Sequence, residues 1–512
     1  MIIRRRHPRA GIALLAILLA LPAFATGFAQ QPSSETSDPQ AADWRHRDLF
    51  AGDYTTPAAD PDAATDAQPT NGATGGDAAD GASPADKNVA AGDQPPSHWS
   101  IHFQDTFVLQ GTPGFRSPYK AQTSLSPNQI RETNSDTLFL AYSPWQGGSL
   151  VVNPEYSQGI GLSHTYGVAG FPNGEAQKAS DLQGKEDISR IYIRQVFGLG
   201  GEKEPVADAE NQIAGEQDIS RFTVQFGKFA MNDNVDDNTY NHDERNQFLN
   251  WSIWESGAWD YPADSKGYTY GLYLEYNQKN YTLRFVHAQV PKVVNGLALD
   301  NQFWLRFGEV LELETRFKIH DHPGKLRTLG FVNRTNSATY NDLVADPDVN
   351  PLKLRANRLK YGGALTGEQE ITSDLGAFFR LSINDGQTQS WSFTDIDQSA
   401  SVGLSLKGTR WQRPDDTIGL AAVVNGISKA HQEYLNAGGV GLTVGDGQLP
   451  HYGTENIVEL YYDVRLPEFG LPEVGGKVVP SLTFDYQFVD HPAYNEDRGP
   501  AHILGARLHA EY

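Results

Sequence analysis

Arg190, Tyr192 and Arg194 fall two residues apart in the stretch ISRIYIRQ (188–195). Side chains at every second residue share one face of a β-strand. Two guanidinium groups and a phenol hydroxyl would therefore meet on one surface. Charged residues at alternating positions recur along the chain: Arg221, Glu275, Arg284, Glu314, Arg316, Arg380, Glu455, Glu459, Asp463, Arg465, Asp485, Arg507 and Glu511. Guanidinium groups only donate hydrogen bonds and carboxylates only accept them. A surface carrying both, with Tyr and Trp among them, suits a polyhydroxylated solute whose hydroxyls do both and whose C–H faces lie on aromatic rings. A ring of one sign would select ions instead. The same charges can also pair with one another and keep a wet lumen solvated.

Other chemistries find little support. Cysteine is absent, which excludes disulfides, thiolate zinc sites and a cysteine nucleophile. The acidic run NDNVDDNTYNHDE (232–244) lacks the ligand spacing of an EF-hand loop and is expected to be a solvated loop. His320 and His322 sit beside Pro323 and Gly324, which makes HDHPGK (320–325) a turn rather than a metal site. There is no G-x-S-x-G and no glycine-rich phosphate loop before a helical pattern. No catalytic residue, metal ligand or cofactor is therefore assigned. The net charge of −22, with no basic patch, argues against nucleic acid.

The elements that would position these residues are strands. In SLTFDYQFV (481–489), Leu482, Phe484, Tyr486 and Phe488 alternate with Ser481, Thr483, Asp485 and Gln487. Val458 to Leu466, Tyr268 to Tyr276 and Leu375 to Ile383 alternate in the same way. Sixteen such segments are expected: 98–110, 134–144, 149–157, 188–198, 219–228, 266–277, 280–288, 309–320, 325–334, 357–366, 372–384, 399–408, 416–425, 453–466, 477–490 and 501–512. Several match the ~9–11 tilted residues that cross a bilayer as a strand. An even count, aromatic ends on the apolar faces, and short turns (277–280, 320–325) set against long connections (229–265, 426–452) point to a closed antiparallel transmembrane β-barrel. A pair of soluble sandwiches or a solenoid would also alternate, but without aromatic ends and mixed charges on opposite faces.

Residues 1–29 read as a secretory signal peptide: Arg4, Arg5, Arg6 and Arg9, an apolar run from about Gly11 to Ala23, then small residues. Residues 30–97 hold twelve acidic against three basic residues and few groups able to build a core, the composition of a disordered spacer. Within it, DWRHRDLF (43–50) forms an apolar island that could dock elsewhere. Residues 98–512 would form the barrel. The chain closes on HILGARLHAEY (502–512), with Leu504, Ala506, Leu508, Ala510 and Tyr512 on one face and Arg507, His509 and Glu511 on the other. That strand must pair with the first for the barrel to close.

Three stretches resemble the carbohydrate-selective porins, the OprB-type sugar channels: 226–276 with its strand, long loop and strand, HPGKLRTLGFVNR (322–334), and the closing hairpin 484–512. DWRHRDLFAGD (43–53) is similar to a segment near the mature N-terminus of such proteins. The terminal strand resembles the signal that outer-membrane insertion machinery reads, with Tyr512 where Phe is commoner. The resemblance implies a bacterial outer-membrane channel for passive diffusion of mono- or small oligosaccharides, with a narrow pore lined by Arg, acidic and aromatic groups. Outer-membrane lipid surrounds such a channel, and other porins of this size suggest a homotrimer. A general or differently selective porin, a barrel enzyme and a non-conducting surface-binding protein remain as alternatives.

Overall fold

The computed structural model describes residues 97–345, 351–471 and 476–512. The expected leader (1–29), the island 43–50 and the spacer up to residue 96 lie outside the described residues. Among the described residues sixteen strands run in chain order around one closed antiparallel sheet: β1 (Trp99–Thr112), β2 (Gln129–Tyr142), β3 (Gly148–Gly159), β4 (Asp181–Gly198), β5 (Arg221–Phe229), β6 (Thr269–Asn277), β7 (Tyr281–Ala288), β8 (Phe307–Ile319), β9 (His322–Ser337), β10 (Ala356–Thr372), β11 (Leu375–Asn384), β12 (Gln398–Gly408), β13 (Arg413–Gly426), β14 (Glu455–Arg465), β15 (Lys477–Asp490) and β16 (Ala501–Glu511). β16 pairs with β15 on one side and with β1 on the other, from Gln104↔Glu511 to Gly111↔Leu504. Tyr512 extends the ladder: its N–H donates to the Phe103 carbonyl at 2.8 Å and its carbonyl accepts from the Phe103 N–H at 3.1 Å.

The burial pattern is inverted relative to a water-soluble protein. Leu311, Val402, Phe484 and Leu504 point outward and are exposed, whereas Arg327, Arg380 and Arg507 point inward and are among the most buried side chains. Alternation along each strand puts the apolar set toward lipid. Aromatic pairs mark the short-turn end of the outer surface: Trp99 with Tyr142 at 4.2 Å between ring centroids, Tyr276 with Tyr281, and Trp411 with Tyr462.

Each expected segment overlaps one barrel strand, but several strands run longer. β2 begins at Gln129 and β4 at Asp181, through the polar stretches QIRET and DLQGKED. Those ends lie on the long-loop side, where both faces of a strand can be polar and the alternation fades. At β8–β9 the turn shrinks to His320 and Asp321, with φ of 50° and 68°. Positive φ at both central residues is the conformation that fits the twist of a two-residue hairpin. Tyr268, expected on the outer face of a strand, instead precedes β6 and is fully buried inside the barrel.

The long connections fold into the lumen. The chief one, 230–268, carries a one-turn helix (Trp251–Trp254) capped by Asn250, whose side chain accepts from the Ser252 N–H at 3.1 Å. The acidic run expected to be solvated lies in this loop and is largely enclosed: Asp236 is 1 % exposed and bonds Arg380 at 2.5 Å. Irregular backbone at membrane depth needs partners for its peptide groups, and the barrel wall supplies them. Glu459 accepts from the N–H groups of Leu249 (2.6 Å) and Asn250 (3.1 Å). Glu455 accepts from Ala169, Gly170 and Ala493, Glu312 from Asp236, and Glu368 from Thr239.

Candidate functional site: a lumenal cavity

Between these loops and the inner wall lies a cavity of about 330 Å³, toward the small end of the ~300–1,000 Å³ typical of small-molecule sites. One side is built by β4. Arg190, Tyr192 and Arg194 project into it, as their spacing of two demands. Arg190 holds Asp233 through two bonds of 2.7 and 2.6 Å and lies 5.4 Å over the Tyr268 ring. Arg194 donates to the Gln225 side chain at 2.9 Å and lies 5.2 Å over the Tyr192 ring. Among the described residues it has no carboxylate partner.

Opposite stands an aromatic column gathered from three loops. Trp251 stacks on Phe171 at 5.3 Å and on Phe393 at 5.5 Å, while Trp254 meets its edge at 5.1 Å. Both indoles are nearly buried and both line the cavity, yet neither Nε1–H has a hydrogen-bond partner among the described residues. A buried donor left unpaired is destabilising by about 1–3 kcal/mol, so each of these two groups would be stabilised by an acceptor entering the cavity.

A third side carries ionisable groups from the loops. Lys178 lies 3.3 Å from Glu175 and 3.7 Å from Glu244, and Arg245 lies 3.1 Å from Glu175 and 3.3 Å from Asp243. Burial opposes the charge on Glu175, but Arg245 and Lys178 outweigh it and hold its carboxyl far below the usual range. Its neighbour Glu244 is pushed up to about 8, first by burial and then by the Glu175 charge. Burial likewise opposes the Asp233 charge, and Arg190 prevails to hold it low. Lys178 and Arg190 sit over the face of Tyr268, whose hydroxyl donates to Glu155 at 2.8 Å.

Of the wall residues expected from the sequence, Arg190, Tyr192 and Arg194 line the cavity. The others point inward outside the cavity lining, and the side chains of all but Arg465 are held by protein partners among the described residues. Arg221, Glu275, Arg284, Glu314 and Arg316 form a ladder of ion pairs along β5 to β8: Arg221 to Glu275 at 3.6 Å, Arg284 to Glu275 at 3.4 Å and to Glu314 at 3.2 Å, and Arg316 to Glu314 at 2.8 Å. Arg380, Glu459 and Arg507 hold loop backbone. Arg507 donates to the Glu244 and Gln247 carbonyls at 2.7 and 2.8 Å. Asp463 accepts from Thr483 at 2.6 Å and Asp485 from Gln487 at 3.1 Å. The Arg465 peptide N–H donates to Asp416 at 3.0 Å, and Glu511 pairs with His509 at 3.0 Å. Sequence reading missed Lys178, Glu244, Arg245, Trp251, Trp254 and Phe393. They belong to loops whose path no periodicity reports; the aromatic density of WSIWESGAWDY (251–261) was the available signal.

A family model described as the carbohydrate-selective porin, OprB family, matches residues 141–512. Among solved structures, Pseudomonas putida OprB at high pH superposes with a TM-score of 0.58 at 14% identity, over 81% of this chain and 94% of that chain. Its low-pH structure gives 0.43 at 12% identity, over 81% and 93%. The outer-membrane channel DcaP of Acinetobacter baumannii gives 0.44 at 9% identity, over 81% and 96%. Comparison with curated proteins gives no match. The fold and the family both point to a channel rather than an enzyme. With the family model spanning most of the barrel, the chain belongs to the carbohydrate-selective OprB porins, outer-membrane channels for sugars.

Proposed function

We propose that sugar crosses through the lumenal cavity and is held there briefly by groups of opposite hydrogen-bonding sense. The observation that carries this is the pair of indole N–H groups of Trp251 and Trp254 beside Arg194, the donors unpartnered and the guanidinium without a carboxylate among the described residues. Sugar hydroxyl oxygens would accept from these donors, and sugar hydroxyl groups would donate hydrogen bonds to the Asp233 carboxylate and to the carboxyl oxygen of Glu244. The ring edges of the aromatic column offer apolar surface to C–H groups. Polar exchange of this kind is weak enough to release the solute on the far side. In planar bilayers, D-glucose or maltotriose should block the ionic current of the wild-type channel. Trp254→Phe keeps a ring and removes one donor, and Arg194→Gln removes the charge. Each should raise the half-blocking concentration about tenfold, the ratio expected for one lost hydrogen bond. Current that no sugar affects would favour a general porin instead.

The remaining expectations belong to the same proposal. Residues 1–29 direct export and are removed, 30–97 form a spacer, and β16 is the strand recognised by the insertion machinery. Three copies would associate through the apolar exterior; cross-linking in outer-membrane vesicles would trap a trimer, whereas a purely monomeric pattern would reject it.

A further inference from the structure

Five of the connections at the short-turn end are brief, 143–147, 278–280, 320–321, 373–374 and 409–412, and the one between β14 and β15 runs from 466 to 476. The connection between β4 and β5 runs from 199 to 220. The wall does not require that length, because the ladder there resumes at once with Gly198↔Arg221. At β8–β9, two residues close the equivalent gap between Ile319 and His322.

The extra chain is an ordered hairpin. Lys203–Val206 pairs with Gly215–Asp218, and the stem is tied to the rim by Arg221 to Glu204 at 2.7 Å. Its tip turns up into the lumen. Ser100 donates to the Ala209 carbonyl at 3.0 Å, His102 lies 3.4 Å from Asp208, and Asn153 donates to the Asn211 side chain at 2.8 Å. The Gln104 amide, oriented to satisfy both its ends, donates to Glu210 at 3.1 Å and accepts from Arg245 at 3.0 Å. Gln104 lies five residues beyond the start of β1, about 16 Å along the strand at ~3.3 Å per residue. Ile213 packs on the aromatic core. Glu210, Asn211 and Gln212 line the cavity, and Glu210 and Gln212 are exposed within it.

We propose that the 199–220 hairpin is the floor of the sugar chamber: a constriction built from the periplasmic side, opposite the loop 230–268, in which Glu210 touches the passing solute. The part concerning sugar contact rests on the cavity being the sugar path; the part concerning bore does not. A carboxylate at the floor accepts hydroxyl protons as the solute leaves the indole and guanidinium donors above. It also biases small ions toward cations.

The test uses the full chain in planar bilayers. In one variant residues 207–214 are replaced by Asn-Gly, which joins the Val206↔Gly215 pair by a two-residue hairpin turn and leaves every barrel strand intact. Its conductance should rise roughly twofold or more, as a narrow segment in series is removed. Its half-blocking sugar concentration should rise about tenfold. In a second variant, Glu210→Gln, the barrel and the tip stay in place, the reversal potential in a salt gradient should move toward anions, and sugar block should weaken. Heat-modifiable migration on a gel reports folding of both. A folded hairpin-shortened channel with wild-type conductance overturns the proposal. If that variant does not fold, Glu210→Gln decides, and an unchanged reversal potential overturns it. If sugar fails to block even the wild type, the sugar path is wrong and the conductance comparison still judges the floor.

Discussion

Glu210, at the tip of the 199–220 hairpin, is ringed by charged groups from three elements. Glu511 and His509 face it from β16, His102 and Gln104 from β1, and Asp243 and Arg245 from the loop above. Enclosure by the protein comes first, with the Glu511 and Asp243 charges next, and together they push the Glu210 carboxyl up to about 7; Arg245 and His509 act the other way. A raised carboxyl holds its proton at lower pH and releases it as pH rises through 7, so the floor is neutral under acidic conditions and negative under alkaline ones. Cation preference should therefore increase between about pH 6 and 8, with most of the change lost in Glu210→Gln. Reversal potentials across that range are the measurement, and an identical slope in the variant would assign the titration to another group.

At the scale of elements, the terminal strand β16 is bonded along both its edges, and even Tyr512 exchanges two backbone bonds with Phe103. Removing 502–512 exposes the edges of β1 and β15 to lipid, where each orphaned peptide group is destabilising by several kcal/mol. Truncation should abolish assembly. Tyr512→Asp should reduce it, by a small amount because the residue lies near the interface, and Tyr512→Phe should preserve it. Folded protein in outer-membrane fractions measures all three, and conducting barrels from the truncated chain would remove β16 from the closure. A different outcome is expected for residues 54–96: a spacer without core-forming side chains can be deleted with insertion and conductance intact. Loss of the heat-modifiable band in that deletion would show the segment to be part of the folded channel.

For the whole molecule, the barrel was open to sequence reading and its contents were not. Period-two alternation such as Leu482 to Phe488 reports which face meets lipid, because the bilayer imposes one rule on every strand. It cannot say what an inward charge will meet. Arg380 and Glu459 read as wet lumenal groups, yet they bond loop backbone. The acidic run 232–244 read as solvated because its partners, Arg190, Arg327 and Arg380, are distant in sequence. Wall and filling should therefore come apart on mutation. Glu459→Leu leaves the Leu460↔Tyr486 ladder whole but removes the acceptor for two loop N–H groups, at about 1–3 kcal/mol each. The heat-modifiable band should persist while protease cuts 230–268 and current noise increases; a silent, protease-resistant channel would mean the loop holds itself. The Glu455 and Glu459 contacts have a consequence for engineering as well. A transplanted loop brings its peptide groups but leaves its receptors behind on the donor's strands. A loop exchange should therefore install a new selectivity only when it carries matching changes on strands hundreds of residues away, because Glu459 receives Leu249 and Asn250 and Glu455 receives Ala169 and Gly170.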